Sequence, residues 1–175
     1  MTLQVRMSGA IDDAWCRLEP VPVGRKSRAA GSPCRFVTVS DADRLLLRID
    51  VHSDGPECRA FEQAIVWRGS VIFGYGERVH AVCMRDRSVV TFDTQPYFGA
   101  LHATREYLLI ASGSRLIRVE PNRTVRWTSG ELGVDGVVVR DADAVAIHGD
   151  GEWDPPGGWR SFELRACDGS IVSQG

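Results

Sequence analysis

Lysine is almost missing from this chain: Lys26 is the only one, and arginine supplies nearly all the positive charge. That bias reads as the mark of a GC-rich, bacterial genome. No apolar stretch approaches the roughly 18 residues that a bilayer-spanning helix needs. The first residues, MTLQVRMSGAIDDAW, hold no charged segment followed by an apolar run, so no secretory leader is expected and the expected compartment is the cytoplasm. Five cysteines (Cys16, Cys34, Cys58, Cys83, Cys167) are an odd number without a C-x-x-C pair, which argues against a disulfide framework and against zinc. A net charge of −2 gives no general attraction to nucleic acid or to an anionic membrane.

Catalytic templates are missing as well. There is no G-x-S-x-G, no P-loop, no H-E-x-x-H, and no G-x-G-x-x-G leading from strand to helix. GYGERV has the look of a nucleotide-loop fragment, but its place between two apolar runs makes it a hairpin turn. Asp150, Glu152 and Asp154 alternate like the start of a calcium loop. The glycine at the sixth position and the glutamate at the twelfth, which is Ser161, are both lacking. No metal and no cofactor is expected, and the balance leans away from an enzyme.

What the chain does have is strand. Short apolar runs such as FVTV, RLLLRIDV, QAIVW, SVIFGYG, YLLIASG, RLIRV and AVAI recur every 8–12 residues or so, separated by Gly, Asp, Asn or Pro, which predicts an all-β domain. ECRAFEQA, from Glu57 to Ala64, is the one plausible helical turn, and VGRKSRAAGSP at 23–33 reads as a flexible loop. The 175 residues suit a single domain, with an N-terminal β-rich portion over 1–58 and repeats over 59–175.

The repeat appears when QAIVWRGSVIFGYGERVHAV, GALHATREYLLIASGSRLIRV and GVVVRDADAVAIHGDGEW are aligned. Val71, Leu108 and Val145 then begin equivalent runs 37 residues apart, Gln63, Gly99 and Gly136 mark the preceding strand, and Gly76 and Gly113 share a turn position. About three four-stranded units of this period are the signature of β-propeller-like blades. The outer part of the middle unit, RLIRVEPNRTVRW, and the ending FELRACDGSIVSQ resemble the strand–turn–strand repeats of bacterial quinoprotein-type (WD40-like) propellers over about residues 60–175. The resemblance implies that Trp127 docks between neighbouring blades; it carries no cofactor site over. Three units do not close a ring, so the N-terminal strands or a second copy, in a homodimer, would have to cover the open edges. A two-sheet β-sandwich is the rival architecture.

The densest unusual stretch is GDGEWDPPGGW, residues 149–159, where the third unit departs from the other two. Trp153 and Trp159 on this Pro- and Gly-stiffened loop either fold back to cap the sheet or form a rigid aromatic contact surface. Asp150 and Asp154 would set its electrostatic complementarity, and the turn LGVDG at 132–136 would lie nearby. His102 aligns with Val66 and Val139, and His148 with Gly74 and Ala111, positions from which they could line the mouth of a cavity or hydrogen-bond within the fold. The arginines between 105 and 126 alternate with Glu106 and Glu120, as on a solvated outer face.

The expectation is a non-enzymatic protein-binding module, such as an immunity-type or other neutralising partner protein. The first alternative is an enzyme or small-ligand protein with a site where His102, His148 and the Trp loop converge. The second is a structural homodimer.

Overall fold

The computed structural model describes residues 3–24, 32–52 and 61–175. It is all-β, with four four-stranded sheets following one another along the chain. The first sheet contains β1 (Leu3–Ser8), β2 (Val21–Val23), β3 (Arg35–Asp41) and β4 (Arg44–Val51), in the order β1-β3-β4-β2. The second is β5 (Glu62–Trp67), β6 (Ser70–Tyr75), β7 (Arg78–Cys83) and β8 (Val89–Asp93). The third is β9 (Phe98–Ala103), β10 (Leu108–Ser112), β11 (Leu116–Val119) and β12 (Val125–Thr128). The fourth is β13 (Val137–Ala142), β14 (Ala146–Glu152), β15 (Trp159–Arg165) and β16 (Ile171–Gln174). All neighbours pair antiparallel except β2, which runs parallel to β4.

Each sheet lays one face on the next. Val37, Val39, Leu47 and Ile49 meet Val71, Phe73 and Val82 between the first two sheets. Ile72, Val79 and Phe92 meet Phe98, Leu108 and Ile110 in the following layer. Leu109, Leu116 and Trp127 meet Val137, Ile147 and Phe162 in the last. Sheets packed on both sides read as unbroken apolar runs, as in SVIFGY, whereas the end sheet alternates: in AIHGDGE, Ile147 turns inward and His148 outward. Among the described residues no apolar layer joins the fourth sheet to the first, so the stack is open.

The outer hairpins share one turn. Asp86, Asn122 and Asp168 each accept, on one side-chain oxygen, the backbone N–H and the hydroxyl of the residue two places on, Ser88, Thr124 and Ser170. The residue between them takes a positive φ in all three: Arg87 at 62°, Arg123 at 66° and Gly169 at 72°. The short polar side chain thus mimics a turn of backbone and fixes the register of β7–β8, β11–β12 and β15–β16.

Several expectations are corrected. The described strands form four sheets rather than a two-sheet sandwich, and the N-terminal portion is itself one of the four. Of the segment expected to turn as a helix, 57–60 lies outside the described residues and 62–64 belongs to β5; most of the expected loop at 23–33 also lies outside them. The third repeat is offset, because the connection from β12 to β13, residues 129–136, is longer than that from β8 to β9, residues 94–97; β9 and β13 each carry a bulge. Val145 is therefore exposed in a turn, and Ile147 takes the buried place of Val71 and Leu108. Gly76 has φ 64°, but Gly113 is glycine for another reason: a Cβ there would lie 2.7 Å from the Tyr97 ring.

The two outer faces differ. Between β1 and β2 the chain crosses the first sheet's outer face, with a short 3-10 turn over Asp13–Arg17. There Arg6, Trp15 and Thr38 line one recess, and Arg48 Nη1 reaches the Trp15 carbonyl at 3.5 Å. No segment crosses the fourth sheet's outer face among the described residues.

Candidate binding surface

Strands β5, β9 and β13 all start at the same end of the stack, and the residues just before them are Phe61, Tyr97 and Gly136. Phe61 stacks on Tyr97, with ring centroids 5.9 Å apart. The Tyr97 hydroxyl donates to the Asp135 carbonyl at 2.8 Å and lies 3.0 Å from its carboxylate. The third place in the row has no side chain of its own, and Trp159 occupies it: a Cβ on Gly136 would lie 3.0 Å from the indole Cη2. Phe61 and Trp159 remain about half exposed, at 48% and 46%. A row of aromatic side chains thus runs across three sheets, each held at the start of a strand or by the hairpin above it.

The loop 153–158 exists to deliver that tryptophan. Trp153 N–H donates to the Gly158 carbonyl and Gly158 N–H to the Asp154 carbonyl, both at 2.9 Å. Gly157, at φ 98°, places its N–H 2.6 Å from Glu152 Oε1. A Cβ on Gly158 would lie 2.5 Å from that of Asp154, so this tight return tolerates no larger residue. The two tryptophans part company here. Trp153 is half-buried beside Arg160, whose guanidinium carbon is 6.0 Å from its ring, while Trp159 stands opposite Glu152 on the outer face. They do not make one shared aromatic surface. The 132–136 turn does come to the loop, since Val134 N–H bonds the Glu152 carbonyl at 2.7 Å.

Neither a protein-family model nor a curated protein sequence matches this chain. The surface is therefore read from its own chemistry.

Behind Trp159 the fourth sheet's outer face is ruled in rows by register. Glu152 faces Trp159, Asp150 faces Ser161, and His148 stands between Asp141 and Glu163. Asp150 holds Arg140 at 2.9 Å and accepts the Ser161 hydroxyl at 2.9 Å; Asp154 is exposed on the loop. Val138, paired with Asp150, exposes an apolar side chain on the same face. His102 is not part of this surface. It pairs with Leu109, whose side chain packs toward the fourth sheet, whereas His148 lies on that sheet's far side. The fourth sheet separates the two histidines, and by register neither occupies the repeat position that alignment gave it.

A cleft of about 590 Å³ opens beside the row, between the second and third sheets, with Glu77, Asp93, Gln95, Pro96, Ser114 and Arg115 on its walls. His80, which the sequence left without a partner, is buried in the layer between the first two sheets. Its Nδ1 lies 2.9 Å from Thr91 Oγ1, and its ring tilts against Phe73. Burial, with Arg78 nearby adding to it, pushes its pKa down to about 4 against a weaker opposing pull from Asp93. Among the described residues no group of three or more His, Cys, Asp or Glu side chains is placed to hold a metal ion, and no helix is long and apolar enough to cross a membrane.

Trp127 is positioned quite differently from Trp159. Its indole N–H donates to the Ala166 carbonyl at 2.9 Å, and its ring covers Gly169, where a Cβ would approach it to 2.6 Å. It joins the third sheet to the fourth. Phe61 and Tyr97 were not singled out by sequence reasoning; the signal available was an aromatic just before an apolar run, repeated 36 residues apart.

Proposed function

We propose that this chain is a non-enzymatic protein-binding module, an open and partial β-propeller-like stack that presents its contact surface at the end where Phe61, Tyr97 and Trp159 line up. The observation that carries the reading is that row. Phe61 and Trp159 stand half in solvent on either side of the more buried Tyr97, and each ring is braced by backbone or by a neighbouring ring rather than free to fold away. Such side chains bury much area on binding at little entropic cost, which is why they dominate interface energetics. The propeller-like description draws support from the order of the sheets, from the shared outer turn, and from Trp127 docking between successive sheets.

The test is affinity capture from a lysate of the source organism with the wild-type chain and with Trp159→Ala, each checked for folding by circular dichroism. A protein retained by wild type, lost by the folded variant and cross-linked to residues near 97, 135 or 159 supports the reading. Retention that is unchanged in the variant, or cross-links confined to the opposite end of the stack, would overturn it.

A further inference from the structure

Three times among the described residues an arginine is clasped in the same way, between an aromatic ring and a carboxylate. Arg35 lies 5.2 Å from the centre of Tyr75 and 2.7 Å from Glu62. Arg48 lies 5.7 Å from Phe36 and 2.8 Å from Asp50. Arg118 lies 4.1 Å from Tyr107 and 2.8 Å from Glu120. The clasp combines cation–π attraction with a charge-assisted hydrogen bond, and it suits the planar guanidinium better than an ammonium.

A fourth pair of ring and carboxylate has no arginine among the described residues. Trp159 and Glu152 face each other in register on the outer face of the fourth sheet. Glu152 Oε1 is engaged by the Gly157 N–H, while Oε2 and the indole share the space over Gly136. Among the described residues no guanidinium or ammonium lies over Trp159. Asp154 lies exposed on the loop beside it, Asp141 and Glu163 flank His148 farther along the same face, and Arg140 is already bound to Asp150.

We propose, resting on the protein-binding reading, that Trp159 and Glu152 receive an arginine side chain from a basic surface of the protein partner, which lies along the fourth sheet's outer face. Charge decides the occupant. A second copy pairing through this same face would bring Asp141, Glu152 and Glu163 up to the same carboxylates of its partner, which like charges oppose. Nucleic acid would meet the same carboxylates. A partner rich in arginine finds both ring and counter-charge already in place.

The experiment titrates the full-length, isotope-labelled chain with a short peptide alternating glycine and arginine, and with its citrulline counterpart, which keeps the shape and loses the charge. The Trp159 indole N–H resonance is the readout. The arginine peptide is expected to shift that resonance and to bind about tenfold more tightly than the citrulline peptide, with the advantage shrinking as salt is added. Glu152→Gln, which keeps the loop's shape, should remove most of the difference, and Trp159→Ala, followed by calorimetry because it lacks the reporting indole, should abolish it. Equal binding of the two peptides, indifference to Glu152→Gln, or no shift at millimolar peptide would overturn the proposal. So would a concentration-dependent dimer in light scattering that Trp159→Ala dissolves, because the occupant would then be a second copy. A captured protein that requires Trp159, tolerates Glu152→Gln and meets it with an uncharged surface would overturn the arginine assignment while leaving the protein-binding reading in place.

Discussion

The two ends of the stack carry the same chemistry under different cover. On the first sheet's outer face Arg48 grips Asp50, and their side chains are only 14% and 10% exposed beneath the crossing segment. On the fourth sheet's outer face Arg140 grips Asp150 at nearly the same distance, with exposures of 55% and 25%. One end is closed by the chain itself and uses its ion pair to satisfy polar groups that packing has taken out of water. The other is left open, and its ion pair stays wet. An ion pair therefore says little by itself about stability or function; the solvent around it decides.

The largest effect should come from cutting the open end loose. Trp127→Ala removes the ring that joins the third and fourth sheets and should cost about 3–5 kcal/mol of unfolding free energy in urea titration. If the loss is instead near 1 kcal/mol, the fourth sheet holds on through the rest of its layer alone. Next comes the covered ion pair. Arg48→Ala strands Asp50 in a nearly dry site and should destabilise by about 3 kcal/mol. Similar losses from Arg48→Ala and Arg140→Ala would erase the contrast between the two faces.

Protonation probes the covered end without a mutation. A histidine in the unfolded chain takes up its proton near pH 6.5, whereas the folded chain holds His80 neutral down to about pH 4. The unfolded state thus binds more protons across that interval. The stability that neutral His80 supports is full above pH 6.5 and is lost as pH falls toward 4, a decline of about 3 kcal/mol at the acid end. Urea midpoints measured across this range in wild type and His80→Gln should differ in slope, and parallel curves would remove His80 as the cause. The smallest effects belong to the open face. Arg140→Ala and Trp159→Ala should each change stability by less than about 1 kcal/mol. A much larger loss on removing Trp159 would make it a cap of the fold rather than a contact residue.

How much of this was legible beforehand differs from element to element. SVIFGY and YLLIASG show their strands, and their burial on both faces, in an unbroken apolar run. The outer turns were equally readable, since D-R-S, N-R-T and D-G-S hold the side-chain acceptor and the donor two places on. The offset of the third repeat was not, because it arises in the longer connection between β12 and β13, where no apolar pattern fixes the length. It turned Val145 into solvent, while His148 faces outward because no sheet follows the fourth among the described residues. Of the candidate surface, the loop 149–159 stood out for its Trp, Pro and Gly content, but its purpose did not. That purpose depends on Gly136, whose missing side chain leaves the place that Trp159 fills.

Sequence alone determined the strands, their alternation and the turns that join them, because each depends on residues a few places apart. Tertiary structure alone decided which faces would meet. Trp127 and Trp159 are the same residue on neighbouring sheets, each on the face turned away from the sheet before it. One is buried because a sheet follows it, and the other is half exposed because none does. That difference arises from apolar area and carboxylates brought together from distant parts of the chain, and local pattern holds no record of it.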